Sequence, residues 1–113
     1  MAEFDRHDKA RARIMDLAAA FVREEANTNP LITITNADVS SNYHHATIFF
    51  TTIPESGEDD ARVFLHRKGT EFRQYLKKHA RLKFIPEIHF EVDYGERHRQ
   101  HIDDIARGIE RGG

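Results

Sequence analysis

Apolar and polar positions alternate along the chain with two different periods, and the first half contains one segment of helical and two of extended character. Apolar residues between positions 10 and 26 recur every three or four residues, which predicts an amphipathic helix. The helix is expected to end at residues 27–30, which are turn formers and include a proline that cannot continue it. Residues 31–39 and 46–53 are rich in β-branched and aromatic side chains and predict a hairpin closed by the polar segment 40–45. The apolar helix positions are Ala10, Ile14, Leu17, Ala18, Phe21 and Val22.

The second half begins with two predicted helices. Ser56, three residues before Asp59, resembles a helix-start signature. A helical period then continues to Ala80, but Gly69 interrupts it, so we expect two helices that meet at a kink. The apolar positions of this region are Ala61, Phe64, Leu65, Phe72, Tyr75, Leu76 and Ala80.

A third strand and a last helix complete the predicted order, αββααβα. Residues 86–93 alternate between apolar and polar positions, which predicts a half-exposed strand. After a break at Tyr94-Gly95, a further amphipathic helix is marked by Ile102, Ile105, Ala106 and Ile109. Helices with one apolar stripe need a sheet face to cover, so we expect a single α+β domain over 1–113: a three-stranded sheet with helices on one face and solvent on the other.

Composition excludes several classes of protein. The 113 residues include no cysteine, which removes zinc-finger and thiol chemistry. The longest apolar run, residues 17–22, is far shorter than the roughly 20 residues that a membrane-spanning helix needs. We therefore expect a soluble, cytoplasmic protein that is monomeric and has no cofactor.

The net charge of −2 conceals a strong asymmetry. Between Arg62 and Lys83 lie eight basic residues and one acid, Glu71, so this segment carries +7 and the rest of the chain −9. On helical wheels most of these cations share one face, opposite the apolar arc. A local excess of cations is what a polyanion-binding surface requires, although a solvated helix face gives the same pattern.

Catalytic motifs are absent from the sequence, which contains neither a nucleotide-binding glycine loop nor a hydrolase Gly-x-Ser-x-Gly. His98, His101 and Asp104 leave open a metal-dependent hydrolase, because their spacing could hold a metal. The intervening pattern matches no His-Glu-x-x-His arrangement, however, and we expect neither a metal nor catalysis. His44 and His45 lie in a loop beside Tyr43 and could contact a partner, but neighbouring side chains of an extended chain point to opposite sides, which is poor geometry for chelation. A solvated loop is the favoured interpretation.

Small nucleic-acid-binding modules that mix helices and strands include the KH domain, in which a Gly-x-x-Gly loop between two helices lets phosphates approach the backbone. Here residues 66–71 read His-Arg-Lys-Gly-Thr-Glu, with one glycine. A clamp for single-stranded nucleic acid is therefore absent while a basic kink remains, which favours phosphate contacts to folded RNA.

Two stretches resemble the ribosome-binding factor A family of bacterial assembly factors. Residues 32–49 are similar to its first strand, Val-Ser-x-Asp-Leu-x-x-Ala segment and second strand. Residues 72–76 and 81–93 are similar to its helix, basic turn, proline and third strand, and the family's Ala-x-Gly kink falls on residues 68–70. The resemblance implies a type II KH-like fold, binding to small-subunit (30S) precursors during late 16S rRNA maturation, cold adaptation and links to an assembly GTPase.

Together, the charge pattern and this resemblance predict a non-enzymatic factor that binds ribosomal RNA. A rival hypothesis is a protein-interaction module whose basic helix face meets an acidic partner. The predicted RNA-binding residues are Arg62, Arg67, Lys68, Gly69, Arg73, Lys77, Lys78, Arg81 and Lys83.

Overall fold

The computed structural model describes residues 6–26 and 29–102 and has the predicted α+β order. Ile105, Ala106 and Ile109, predicted to lie in the last helix, fall outside these residues. No helix in the described ranges is long and apolar enough to cross a membrane. The elements are α1 (Arg6–Glu25), β1 (Leu31–Val39), β2 (His45–Ile53), a 3₁₀ turn (Glu55–Gly57), α2 (Glu58–Arg67), α3 (Gly69–His79), β3 (Glu87–Val92) and α4, helical over 94–102.

The sheet has the order β1-β2-β3, with β2 antiparallel to β1 and parallel to β3. The register of β1 shifts by one residue at Thr35, between the pairs Ile34↔Phe50 and Asn36↔Phe49. A bulge of this kind changes which face successive side chains occupy. Apolar side chains at even positions before Thr35 and at odd positions after it consequently all reach the covered face of the sheet.

The core lies between this covered face and helices α1, α2 and α3. All six apolar positions predicted for α1 are buried. Phe72 of α3 is fully buried, and its ring centroid lies 5.2 Å from that of Phe21 and 5.7 Å from that of Phe90. Burying one side chain of this size contributes roughly 1.5–3 kcal/mol. The aromatic contacts therefore hold α1, α3 and β3 together.

Two helix starts differ from the predictions. Ser56 caps no helix: α2 begins at Glu58, after a 3₁₀ turn whose buried Gly57 lies at the helix start without a side-chain cap. The Tyr94-Gly95 pair does not precede the last helix but opens it. Asp93 explains this start, because its Oδ1 accepts a hydrogen bond from the Glu96 amide at 2.9 Å, as an N-cap residue does.

The contact between Gly57 and Pro30 predicts a large effect of a small substitution. A Cβ at Gly57 would lie 2.4 Å from Cβ of Pro30, and the proline ring cannot swing away. We expect Gly57→Ala to lower the free energy of unfolding by about 1–3 kcal/mol, measured by urea denaturation. Gly69→Ala is the matched control, since nothing lies within 4 Å of its Cβ position and its backbone is helical, so stability is expected to stay or rise. Equal stability of the two variants would contradict this packing.

Candidate nucleic-acid interface

The junction of α2 and α3 is a single residue, Lys68, which ends one helix and precedes the other. Its backbone, at φ −86° and ψ 2°, leaves the helical region, while its carbonyl oxygen still accepts a hydrogen bond from the Phe72 amide at 2.8 Å. Gly69 opens α3 without a positive φ. Its missing side chain leaves open space, so a ligand backbone can approach the start of α3 closely.

Three of the predicted RNA-binding cations are already engaged within the protein. Arg62 forms an ion pair with Asp59 at 2.8 Å. Lys68 lies 3.2 Å from a carboxylate oxygen of Glu71, and Arg73 donates a hydrogen bond to the carbonyl oxygen of Pro86 at 2.7 Å. The Arg73 contact ties α3 to the segment before β3. These three side chains must give up or share an internal contact before they bind a phosphate.

The other predicted cations are exposed near the two ends of α3 and just beyond it. Arg67 lies at the junction, Lys77 and Lys78 in the last turn of α3, and Arg81 two residues after the helix. Within residues 6–26 and 29–102 these four side chains have no ion-pair or hydrogen-bond partner. Lys83 is also exposed and lies over the ring of Phe84, 5.6 Å from its centroid. The first four side chains are available to anions without the loss of an internal ion pair or hydrogen bond, and Lys83 is exposed beside them.

At the far end of α3 a groove of about 580 Å³ continues this surface. It lies between the first half of α1, the loop after β1 and the segment 80–86. Its floor is apolar and includes Ile14, Val39 and Leu82. The cations along it are Arg6, Lys9, Arg13, Arg81 and Lys83.

Two residues that line the groove have left-handed backbones, Tyr43 at φ 64° and Arg81 at φ 53°. This conformation costs a non-glycine residue roughly 1–2 kcal/mol, so the surrounding fold must hold it in place. The Tyr43 amide donates a hydrogen bond to the carbonyl oxygen of Ser40 at 2.9 Å, which closes the loop. The fold thus gives up some stability in the two loops that shape the groove.

Sequence reasoning missed the contribution of α1 to this surface. The part of the chain outside residues 62–83 is acidic overall, and it includes Arg6, Lys9 and Arg13, which several acids surround in sequence. Their spacing of three and four residues places them on one helix face, which was the available signal. Arg13 also donates a hydrogen bond to the carbonyl oxygen of His79 at 2.7 Å and so links α1 to the end of α3. The basic surface is therefore built from two helices that are distant in sequence.

The histidines considered in the sequence are divided between different parts of the molecule. His98 and His101 are exposed on α4, where His101 contacts a carboxylate oxygen of Glu55 at 2.8 Å, and Asp104 lies outside the described residues. His44 and His45 diverge as predicted: the ring of His44 lies against Phe84, whereas His45 lies on the sheet. No histidine of these pairs joins its neighbour in one site.

Fold and surface together define a class of protein, an α+β domain of the KH-like type with a basic surface at its helix junction. Within this class the chain belongs to the ribosome-binding factor A family, whose sequence profile matches residues 6–106. The family consists of ribosome-binding factors, and the chain is not an enzyme. The predicted family and the absence of catalysis are confirmed, and the hydrolase alternative is wrong.

Two relatives match the sequence of this chain over nearly its whole length, and two known structures match about three quarters or less of its fold. A ribosome-binding factor A from Aromatoleum aromaticum is 32% identical over 112 residues, covering 93% of this chain and 88% of the relative. One from Geobacter sulfurreducens is 33% identical over 113 residues, covering 95% and 93%. The crystal structure of ribosome-binding factor A from Thermus thermophilus has a TM-score of 0.67 at 16% identity, covering 74% of this chain and 92% of that one. A homology model of the Thermus thermophilus factor, fitted into the cryo-EM map of a 30S complex with it, has a TM-score of 0.60 at 17% identity and covers 70% and 86%.

The different surroundings of Arg73 and Arg67 predict different effects of removing them. Arg73→Ala deletes a charged hydrogen bond that joins α3 to the segment before β3, so we expect the free energy of unfolding to fall by about 1–2 kcal/mol. Arg67→Ala removes an exposed side chain, and its effect should stay within about 0.5 kcal/mol. Urea denaturation measures both. If Arg73→Ala left the free energy of unfolding unchanged, the Arg73 side chain would be as free to bind phosphate as that of Arg67.

Proposed function

We propose that this protein binds the small ribosomal subunit through ribosomal RNA and assists late maturation of 16S rRNA. The observation that carries the proposal is the family match over residues 6–106, supported by relatives that align along nearly the whole chain. The fitting of the Thermus thermophilus factor into the map of a 30S complex supports the same partner. Cytoplasmic location, a monomeric state and an assembly GTPase as second partner belong to this proposal.

The RNA contact is the exposed basic surface that runs from the α2–α3 junction to the groove. Gly69 and Arg67 lie at one end, and Arg81 and Lys83 at the other. The 11 residues of α3 between them span roughly 16 Å at 1.5 Å per residue, enough to reach several successive phosphates. Arg62, Lys68 and Arg73 flank this surface. Arg73 is bonded to a neutral carbonyl oxygen and adds its charge to the surface, whereas Asp59 and Glu71 offset the charges of Arg62 and Lys68.

Binding through this surface follows from phosphate neutralisation. Exposed lysines and arginines release condensed counterions when they contact phosphates, which gives affinity without reading base sequence. Folded RNA presents its phosphates in a fixed shape, so specificity arises from the match between that shape and the line of cations. The acidic remainder of the chain repels RNA from other faces and so orients the approach.

The exposed cations at the end of α3 give the main test. Lys77→Ala/Lys78→Ala/Arg81→Ala should weaken co-sedimentation with purified 30S subunits and reduce the slope of log affinity against log salt by about three, one unit for each phosphate that is no longer neutralised. Circular dichroism checks that the variant folds. Arg99→Ala on α4 is the control, because it removes one exposed cation from another part of the protein. An unchanged salt slope in the triple variant would mean that the interface lies elsewhere. So would a loss of 30S affinity in Arg99→Ala as large as the loss per charge in the triple variant.

The groove gives a separate test. Lys9→Ala/Lys83→Ala removes one cation from α1 and one from the segment before β3, and neither has an ion-pair partner among the described residues. We expect weaker 30S binding and a salt slope lower by about two, with unfolding by urea unchanged. Binding equal to that of the unaltered protein would restrict the interface to α3.

The basic surface could instead bind an acidic protein, which would make this chain a protein-interaction module. The family match does not favour this alternative. RNase treatment separates the two hypotheses. If the protein binds rRNA directly, digestion of the RNA should release it from captured subunits. Retention on RNA-free ribosomal proteins would instead identify an acidic protein partner.

A further inference from the structure

The face of the sheet opposite the helices carries three side chains that face one another across two strands. His45 lies on β2 directly opposite Glu87 of β3 in the parallel register. His89 follows two residues after Glu87 and therefore lies on the same face. The sheet backbone fixes these three positions, although the histidines are distant in sequence.

The side chains are close enough to share one ion. His45 Nδ1 lies 3.6 Å from Glu87 Oε2, and His89 Nε2 lies 3.7 Å from Glu87 Oε1. One ligand atom from each residue lies within 4.8 Å of the others, and the two imidazole rings stack with centroids 6.0 Å apart and planes at 22°. Ligands at about 2.0–2.2 Å from a tetrahedral metal lie roughly 3.4 Å apart. Small rotations of exposed side chains would close the remaining difference.

Without a bound ion, the contacts among these three side chains contribute little to stability. Histidine and glutamate form an ion pair only when the imidazole is protonated, and these side chains are about half exposed, where such a pair contributes little. Two imidazoles held side by side next to a carboxylate offer instead three ligand atoms within 4.8 Å of one another on an exposed face. No other group of three such ligands exists within residues 6–26 and 29–102.

We infer that His45, Glu87 and His89 form a binding site for a divalent transition-metal ion of the Zn²⁺ class. Two imidazoles and one carboxylate are a ligand set that suits zinc, nickel and copper, whereas magnesium and calcium prefer oxygen ligands. Three protein ligands on an open face leave a fourth position for water. The site uses none of the cations of the basic surface, so it does not depend on RNA binding.

Metal titration of the untagged protein tests the site. Isothermal calorimetry with Zn²⁺ in a phosphate-free buffer should give one equivalent bound, and Co²⁺ should develop the visible absorption of a four-coordinate ion. His45→Ala, His89→Ala and Glu87→Gln should each weaken binding at least about tenfold. Mg²⁺ should not compete, because the histidines favour softer ions.

Matched controls come from the other exposed histidines. His44→Ala, one residue from His45, and His98→Ala on α4 remove imidazoles of similar exposure, and Zn²⁺ affinity should not change. In NMR spectra Zn²⁺ should shift the ring signals of His45 and His89 but not those of His44 and His98. Saturation weaker than about 1 mM, or an equal loss of affinity in His44→Ala, would overturn the site. Either result leaves 30S binding untouched, so the two proposals fail independently.

Discussion

The packing of Phe72 between Phe21 and Phe90 is the contact on which the remaining structure depends. It joins α1, α3 and β3 across the covered face of the sheet, and the complete burial of Phe72 fixes which side of α3 faces the core. Because one side of α3 is fixed in the core, its opposite side must face solvent, and there the lysines are found. The direction in which the cations point is thus a consequence of core packing rather than of the charges themselves.

Apolar periodicity predicted the helices and β3, β-branched and aromatic residues predicted β1 and β2, and Gly69 predicted the division into α2 and α3. The six apolar positions of α1 and the alternation in β3 were visible in the sequence because the helix buries one stripe of residues and the strand buries one face. The bulge at Thr35 and the start of the last helix at Asp93 were missed for different reasons. A bulge depends on the partner strand, whereas the Asp93-x-x-Glu96 spacing was visible as a cap but lay beside a glycine that resembled a break.

The candidate site was predictable where it is local in sequence and not where it is assembled by folding. The basic residues between Arg62 and Lys83 stood out as a run of charge, and their role in RNA binding stays a prediction. Lys9 reaches the groove, and His45 approaches His89, only because folding brings together elements that are distant in sequence. A short stretch of sequence therefore reveals neither contact. Charge counts also could not show that Arg73 is held by a carbonyl oxygen, because this requires knowing which loop lies beside α3.

The groove is built from three segments that lie far apart along the chain, so it exists only in the completed fold. Neither α1 nor the segment 80–86 alone can reproduce it, and partial unfolding of one segment removes it. A ligand held there binds the native state and not the unfolded chain, which raises the stability of the whole domain in proportion to the logarithm of ligand concentration. Occupancy of this surface and integrity of the fold are therefore thermodynamically linked: a factor on its subunit resists unfolding and proteolysis more than the same factor free in solution.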